Sequence, residues 1–155
     1  MADTVAELLP ADHQAIIALL AKYCVLLDLV DTDGWVGLFT PDATFEIDGR
    51  THRGHDGLRR LIRTARRGTH LANHPVIEPV GPDRVRTVRS ALFVNRHTGS
   101  LRHTLYRDEI VRNADGWRIA AVVCRFVTGE GLVSWPEPGC ESPVHGIDFP
   151  DWADA

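Results

Sequence analysis

Apolar residues near the N-terminus recur every three or four positions from about residue 12 to residue 30. This spacing is typical of an amphipathic helix, so we predict a helix of about five turns with Asp12 as its N-cap. The Asp-Thr-Asp-Gly sequence that follows ends this helix. Asp33 is expected to cap a short second helix that stops before Pro41. The apolar positions that define the first helix are Ile16, Leu20, Tyr23, Leu27 and Val30.

Beyond Pro41 the apolar positions alternate with polar ones, which is typical of β-strands. Residues 43–47 form the first predicted strand, and Asp48-Gly49 forms the turn to a short returning strand. A third helix follows Gly54, and strands are predicted at 69–80, 84–96, 101–112 and 117–127. Three helices followed by antiparallel strands predict the α+β class. We expect the helices to pack in a curved, mainly antiparallel sheet that leaves one pocket at its wide end.

The composition is that of an ordinary globular domain. The chain has 155 residues, of which 44% are hydrophobic and 25% are charged. We therefore predict one domain over residues 1–155, with a core at about 12–127. The proline-rich segment 128–155 is expected to be irregular, and its Trp135 and Trp152 are candidates for capping the cavity or for a subunit contact.

Charge and hydropathy argue against several kinds of partner. The net charge is −4, whereas nucleic-acid-binding domains usually carry a basic excess. The sequence contains no apolar run that could cross a bilayer, and its N-terminus does not resemble a signal peptide. We expect a cytoplasmic protein with neither a nucleic-acid nor a membrane partner. Cys24, Cys124 and Cys140 have unrelated spacings and are expected to be free thiols.

The histidine spacing gives little support for a metal site. His70 and His74 are expected on one strand, where four residues separate them by ~13 Å, too far to share one ion. The sequence also lacks a glycine-rich phosphate-binding loop and a nucleophile-elbow motif. We therefore expect neither a metal nor a cofactor.

Asp28 is the most unusual residue of the first predicted helix. It lies in line with Cys24, Ala21 and Ile17, so a carboxylate follows an apolar stripe. Burial of a carboxylate costs free energy unless the group has a partner or a function. From position alone, the simpler interpretation is a helix-end residue that turns to solvent. Tyr23 points about 140° away from Asp28, and position alone favours a core tyrosine.

The strand predicted at 84–96 has one face that could form a pocket wall. Alternation places Ala91, Phe93 and Asn95 on that face, with His97 continuing it beyond the strand. The apolar residues followed by polar ones suggest a wall with a polar tip. An exposed hairpin end explains the same pattern equally well.

Two stretches of the chain resemble the SnoaL-like branch of the nuclear-transport-factor-2-like superfamily. The first runs from Tyr23 through Asp28, Asp31 and Trp35 to Leu-Phe-Thr-Pro-Asp-Ala-Thr-Phe, ending at Phe45. The second comprises Tyr106-x-Asp108 and Gly-Trp-Arg-Ile at 116–119. The resemblance covers about residues 12–127. It implies a cone-like α+β barrel with one deep, mostly apolar cavity.

The resemblance also implies roles for individual residues. Dehydratase-like and dehydrochlorinase-like members pair an aspartate at the end of the first helix with a histidine on the strand after the third helix. Asp28 and His70 occupy these positions, Tyr23 matches the first-helix tyrosine, and Asn95 matches a second catalytic position by spacing. Ile47 stands where ketosteroid isomerases carry their catalytic aspartate, which disfavours a reaction of that type.

The activity implied is that of a cofactor-independent lyase, most simply a dehydratase, acting on an apolar cyclic small molecule. An isomerase or polyketide cyclase using the same pair is an alternative. A non-catalytic ligand-binding protein or dioxygenase small subunit is another. The resemblance also implies that this chain forms a homodimer or homotrimer, as members of the family do. The residues expected to line the substrate cavity are Phe39, Phe45, Ala91, Phe93, His97 and Val122; many relatives carry an arginine at the position of Val122.

Overall fold

Three helices pack against a mixed seven-stranded sheet in a computed structural model that describes residues 8–127. The sheet order is β2-β1-β7-β6-β5-β3, and β4 also pairs with β5. The α+β class and the curved sheet predicted from the sequence are confirmed. The elements are α1 (Pro10–Asp28), α2 (Thr32–Val36), β1 (Phe39–Ile47), β2 (Arg50–Arg53), α3 (Gly54–Thr64), β3 (Gly68–Ala72), β4 (Val76–Gly81), β5 (Arg84–Asn95), β6 (Leu101–Asn113) and β7 (Gly116–Phe126).

The first helix begins three residues earlier than the sequence pattern indicated. Leu9 is the N-cap and Pro10 occupies the first helical position, where its missing N–H costs no hydrogen bond. The prediction of Asp12 as the N-cap is therefore wrong. The Asp12 carboxylate instead accepts hydrogen bonds from Trp117 Nε1 at 3.0 Å and from Arg112 Nη2 at 2.6 Å, which link the helix start to the β6–β7 hairpin.

The end of α1 fixes the position of Asp28. The N–H of Val30 bonds the carbonyl of Leu27, and the N–H of Asp31 bonds that of Leu26. This is the Schellman pattern, which requires a left-handed residue after the C-cap. Val30 takes that conformation with φ 60°, which is unusual for a β-branched residue. The helix therefore stops sharply, with Asp28 in its last turn.

The second helix is capped by Asp31 and not by Asp33 as predicted. The Asp31 side chain accepts a hydrogen bond from the backbone N–H of Gly34 at 2.9 Å, three residues on. Asp33 lies inside the helix, where its carboxylate bonds Arg59 of α3. Trp35 and Val36 of this short helix are almost completely buried, so α2 contributes to the core despite its five residues.

The β1–β2 hairpin turns at Asp48 and Gly49, as predicted. Both residues have positive φ, 51° and 70°, which matches the type I′ turn that Asp-Gly favours. On its other side β1 pairs with β7 in parallel. The sheet is therefore mixed, because the last strand returns beside the first one.

The strand predicted at 69–80 is two strands. β3 pairs with the second half of β5 and β4 with the first half. Between them, the Asn73 side chain accepts the backbone N–H of Ser90 at 2.9 Å, and Pro75 has no N–H to donate. The strand pairing is interrupted there, so His70 and His74 do not share one strand.

The long helix lies across the concave side of the sheet. Its buried side chains Ile16, Leu20 and Tyr23 join the aromatic residues of α2 and β1 in one core. Trp135 and Trp152, which are expected to cap the cavity or to form a subunit contact, lie outside the described residues, as does Cys140. Among the helices at 8–127, none combines the length and apolar character needed to cross a membrane.

Candidate active site

A cavity of about 480 Å³ opens between the helices and the concave face of the sheet. Its wall includes the buried side chains of Tyr23, Trp35, Phe45 and Tyr106. Its border includes exposed residues of the β1–β2 hairpin and of the segment after α3. A site of this size, mostly aromatic inside and open to solvent, suits a small organic ligand.

His70 lines this cavity and is held by Asp28. The imidazole Nδ1 lies 2.6 Å from Asp28 Oδ1, and the backbone N–H of His70 donates to Asp28 Oδ2 at 2.9 Å. Both carboxylate oxygens of Asp28 are therefore hydrogen-bonded to His70, which lies 42 residues further along the chain. A carboxylate can only accept, so Nδ1 carries the proton and Nε2 is left with a free lone pair.

Packing fixes the plane of the His70 ring. Its centroid lies 4.9 Å from that of Phe93, which is the residue directly opposite on β5. Gly68, two residues earlier, allows this approach. A Cβ at Gly68 would collide with the carbonyl oxygen of Val94 and come within 2.5 Å of the Phe93 ring. The close pairing of β3 and β5 that carries His70 thus requires glycine at position 68.

Burial sets the protonation state of His70. It lowers the pKa of His70 below the ordinary value of 6.5, against the opposing effects of the hydrogen bond to and the charge of Asp28. Desolvation disfavours the imidazolium form, so the ring is neutral at neutral pH. A neutral imidazole with an oriented Nδ1–H is the form that accepts a proton at Nε2.

Two buried tyrosines supply protonated phenols to the same wall. The rings of Tyr23 and Tyr106 lie 6.2 Å apart in an edge-to-face arrangement. Burial raises the pKa of Tyr23 and of Tyr106 well above their ordinary values. Both hydroxyl groups therefore stay protonated and can donate hydrogen bonds, but cannot act as bases at neutral pH.

A buried ion pair, which the sequence interpretation did not single out, supports these tyrosines. Arg89 Nε and Nη2 bind the two carboxylate oxygens of Asp108 at 2.9 and 3.1 Å, and Thr87 Oγ1 also donates to Asp108. The Arg89 guanidinium contacts the rings of both Tyr23 and Tyr106, at 4.2 and 4.3 Å from their centroids. Two features of the sequence could have indicated this ion pair. Arg89 lies on the inward face of its predicted strand, and Asp108 belongs to the Tyr-x-Asp motif.

The structure brings some of the predicted site residues together and separates others. Asp28 and His70 are hydrogen-bonded, and His70 lies on the cavity wall with Tyr23, Phe45 and Phe93. Their catalytic and binding roles stay predictions. Phe39, Ala91 and Val122 are buried in the core and are not among the residues of the cavity wall.

The predictions for Asn95 and His97 need correction. Asn95 Oδ1 accepts the backbone N–H groups of His97 and Thr98, so this side chain caps the β5–β6 turn. His97 is exposed in that turn. Neither residue lines the cavity. Asn95 is the last residue of β5 and His97 lies beyond the strand, in the turn to which the Asn95 side chain is bonded.

The remaining candidate chemistry is limited within residues 8–127. No group of three or more potential metal-ligating side chains occurs in this range. Cys24 and Cys124 are buried free thiols. Burial raises the pKa of both, that of Cys124 to about 12, so neither is a reactive thiolate at neutral pH.

Comparisons with known proteins bear on the family and the fold of the chain. Residues 10–123 match the SnoaL-like domain family. A variant of Rv3472, a protein of unknown function from Mycobacterium tuberculosis, is 29% identical, with a TM-score of 0.66 over 73% of this chain and 74% of that one. A search of curated proteins finds no match.

Two further solved structures share the fold at lower identity. The hexachlorocyclohexane dehydrochlorinase LinA-type3 from Novosphingobium barchaimii LL02 is 18% identical, with a TM-score of 0.69 over 83% of this chain and 95% of that one. A ketosteroid isomerase-like protein from Erwinia carotovora atroseptica SCRI1043 is 15% identical, with a TM-score of 0.69 over 78% of this chain and 100% of that one.

Proposed function

We propose, from the premise that the chain belongs to the SnoaL-like family, that this protein is a lyase of the dehydratase type. Its substrate is a cyclic small molecule with an apolar ring system, and His70 removes a proton from a carbon of that ring. The observation that carries the proposal is the 2.6 Å hydrogen bond between His70 Nδ1 and Asp28 Oδ1 at the cavity wall.

The proposed reaction is elimination of water from a β-hydroxy ketone. The lone pair of His70 Nε2 takes the proton from the carbon between the carbonyl and the hydroxyl-bearing carbon. The C–H electron pair forms the new C=C bond as the C–O bond breaks. The departing hydroxide takes from His70 Nε2 the proton that was removed from carbon and leaves as water, so the products are a conjugated enone and one water molecule and His70 returns to its neutral form. The Asp28 carboxylate accepts the Nδ1–H of His70 and stabilises the imidazolium that forms.

Tyr23 is the proposed donor to the substrate carbonyl. Its hydroxyl stays protonated at neutral pH, and negative charge develops on the carbonyl oxygen as the proton leaves. Tyr106 is a second protonated phenol among the residues of the cavity wall, and its side chain also hydrogen-bonds Cys124. These two groups take over the polarising role that the sequence interpretation divided between Tyr23 and Asn95.

The cavity indicates the size and character of the substrate. A volume of about 480 Å³ lies in the range of sites that enclose small organic ligands. The aromatic side chains of Trp35, Phe45 and Phe93 form part of its surface. Such surfaces favour fused or substituted rings over linear chains.

A panel of cyclic β-hydroxy ketones tests the proposed reaction. The protein is expected to convert at least one bicyclic member to its conjugated enone, which is followed by ultraviolet absorbance and confirmed by a mass loss of one water. Conversion by the wild type that equals the rate in buffer for every member would contradict the dehydratase assignment. A matched β,γ-unsaturated ketone serves as the comparison substrate, and a double-bond shift in it, with no water lost from any hydroxy ketone, would assign the same base to an isomerisation instead.

The rate should depend on pH through His70. Because burial lowers the pKa of His70, the neutral base persists as the pH falls below 6.5 and is lost only at the lower, folded-state pKa. We expect kcat/KM to be level near neutral pH and to fall about tenfold per pH unit below that pKa. A pH–rate profile checks this. An acidic limb centred above 6.5 would contradict the burial argument.

A further inference from the structure

A lateral row of residues connects the proposed base with a cation. His70 on β3 lies opposite Phe93 on β5, and Phe93 lies opposite Arg102 on β6. Directly opposed residues of antiparallel strands project from the same face of the sheet. All three side chains line the cavity. Two steps between strands place the backbone of Arg102 about 10 Å from that of His70.

Arg102 is held in this position without a carboxylate. Its guanidinium carbon lies 4.3 Å from the ring centroid of Phe126, another residue of the cavity wall. The side chain is half-buried, and it forms no ion pair within residues 8–127. By contrast, Arg112 and Arg125 each hold a carboxylate oxygen at 2.6 Å. A half-buried guanidinium without an anion has unused donors directed by its packing.

Two more arginines line the exposed border of the same cavity. Arg50 lies on β2 and Arg66 follows α3, and neither has an ion-pair partner within the described part of the chain. Asp48 is the only carboxylate among the described residues that line the cavity. The border therefore carries three guanidinium groups against one carboxylate, whereas the inner wall is mainly aromatic. The cavity thus has an apolar interior and a cationic border.

We infer that Arg102, assisted by Arg50 and Arg66, binds an anionic oxygen group on the substrate. The inference rests on the proposed function and narrows its substrate class to rings that bear a carboxylate or a phosphate ester. The acidic group lies about two strand spacings from the carbon that His70 deprotonates, with the ring over Phe93 between them. Guanidinium groups suit both anions because their N–H pairs match two oxygens at once.

Binding of three matched naphthalenes tests this inference without any need for turnover. Isothermal titration of the full chain compares naphthalene-2-carboxylate, 2-naphthyl phosphate and the neutral 2-naphthamide. We expect at least one of the two anions to bind about tenfold or more tightly than the amide, as hydrogen bonds to charged groups commonly provide. The tighter of the two anions identifies the source of the anionic oxygens.

Arg102→Gln should remove that preference and leave the affinity for 2-naphthamide within about twofold. Arg86→Gln, an equal charge change at an exposed position of β5 outside the cavity, should leave the preference intact. Should Arg102→Gln fail to fold, Arg50→Gln at the exposed border provides the second variant, with an expected loss of about threefold for the preferred anion.

Equal affinities for the three ligands in the wild type would overturn the anion site. A preference that survives in Arg102→Gln would overturn it as well. The outcome is separable from the proposed reaction, because His70→Gln should keep the preference for the anion while it loses turnover. An anion preference in a protein without dehydratase activity would uphold this site and reject the reaction.

Discussion

Replacement of His70 by glutamine is expected to lower kcat by about 10²–10⁴-fold on any substrate that the protein dehydrates. This range is the usual contribution of a positioned general base. Glutamine approximates the size of imidazole, but its amide cannot accept a proton at neutral pH. Steady-state rates from the absorbance of the enone measure the effect, and thermal unfolding checks that the variant folds.

Asp28→Asn should cause a loss of at least about 10²-fold through a different route. The amide can donate to Nδ1, which favours the tautomer with the proton on Nε2 and so removes the lone pair that accepts the substrate proton. The substitution changes neither size nor the cavity wall, because Asp28 contacts His70 behind that wall. The two variants together separate the base from the group that orients it.

His74→Gln is the matched control for both variants. His74 is exposed in the connection between β3 and β4 and does not line the cavity. Its replacement should leave kcat within about twofold, as expected for a surface position. If His70→Gln retained the rate of His74→Gln, His70 would not be the base.

Asp108→Asn is expected to produce the largest loss of stability among single changes to the described polar groups. Arg89 and Asp108 are both almost completely buried, and their two hydrogen bonds place opposite charges in contact. Removing one partner leaves the other charge buried without compensation, which commonly costs about 3–5 kcal/mol. Urea unfolding should show this decrease in the free energy of unfolding.

The neighbouring residue provides a control for this loss. Glu109 forms an ion pair with Arg84 at 3.6 Å on the exposed side of the sheet, so Glu109→Gln should cost less than about 1 kcal/mol. The double variant Arg89→Met, Asp108→Leu should be more stable than Asp108→Asn alone, because neither buried charge remains. Equal stability of Asp108→Asn and Glu109→Gln would contradict the role of the buried pair.

Local patterns in the sequence predicted most of the fold. The 3.6-residue period of α1 and the Asp-Gly turn after β1 depend on neighbours in the chain, and both are present in the structure. The predicted start of α1 was wrong because the Asp12 carboxylate does not cap the helix. It accepts hydrogen bonds from Trp117 and Arg112, about 100 residues away in the sequence. Propensity cannot reveal a competing partner that only the folded chain supplies.

The pairing of Asp28 with His70 could be anticipated, whereas two other site predictions failed. The position of Asp28 on an apolar stripe raised the question of a partner but by itself favoured a solvent-facing side chain, and the family resemblance paired this carboxylate with His70. The catalytic role of Asn95 was assigned by spacing within the family resemblance, and the alternation of β5 placed both Asn95 and His97 on a pocket wall. The strand ends where the Asn95 side chain begins to bond its own turn, an interaction that alternation does not reveal.

The Arg89–Asp108 pair shows why a charged residue is difficult to place from sequence. Arg89 alternates with apolar residues that face the core, but arginine usually faces solvent. Its burial depends on Asp108 from the next strand and on the rings of Tyr23 and Tyr106. Four groups on three elements must come together for this arrangement, and no single segment of sequence contains them.

Proton exchange at a carbon acid tests the central claim most directly. 2-Tetralone is an apolar bicyclic ketone without a leaving hydroxyl, so a general base can only exchange its α-protons. In D₂O near neutral pH, the wild type should accelerate loss of the α-proton NMR signal, and His70→Gln should return the rate to that in buffer. Exchange by the wild type no faster than in buffer, or equally fast in His70→Gln, would contradict proton abstraction by His70.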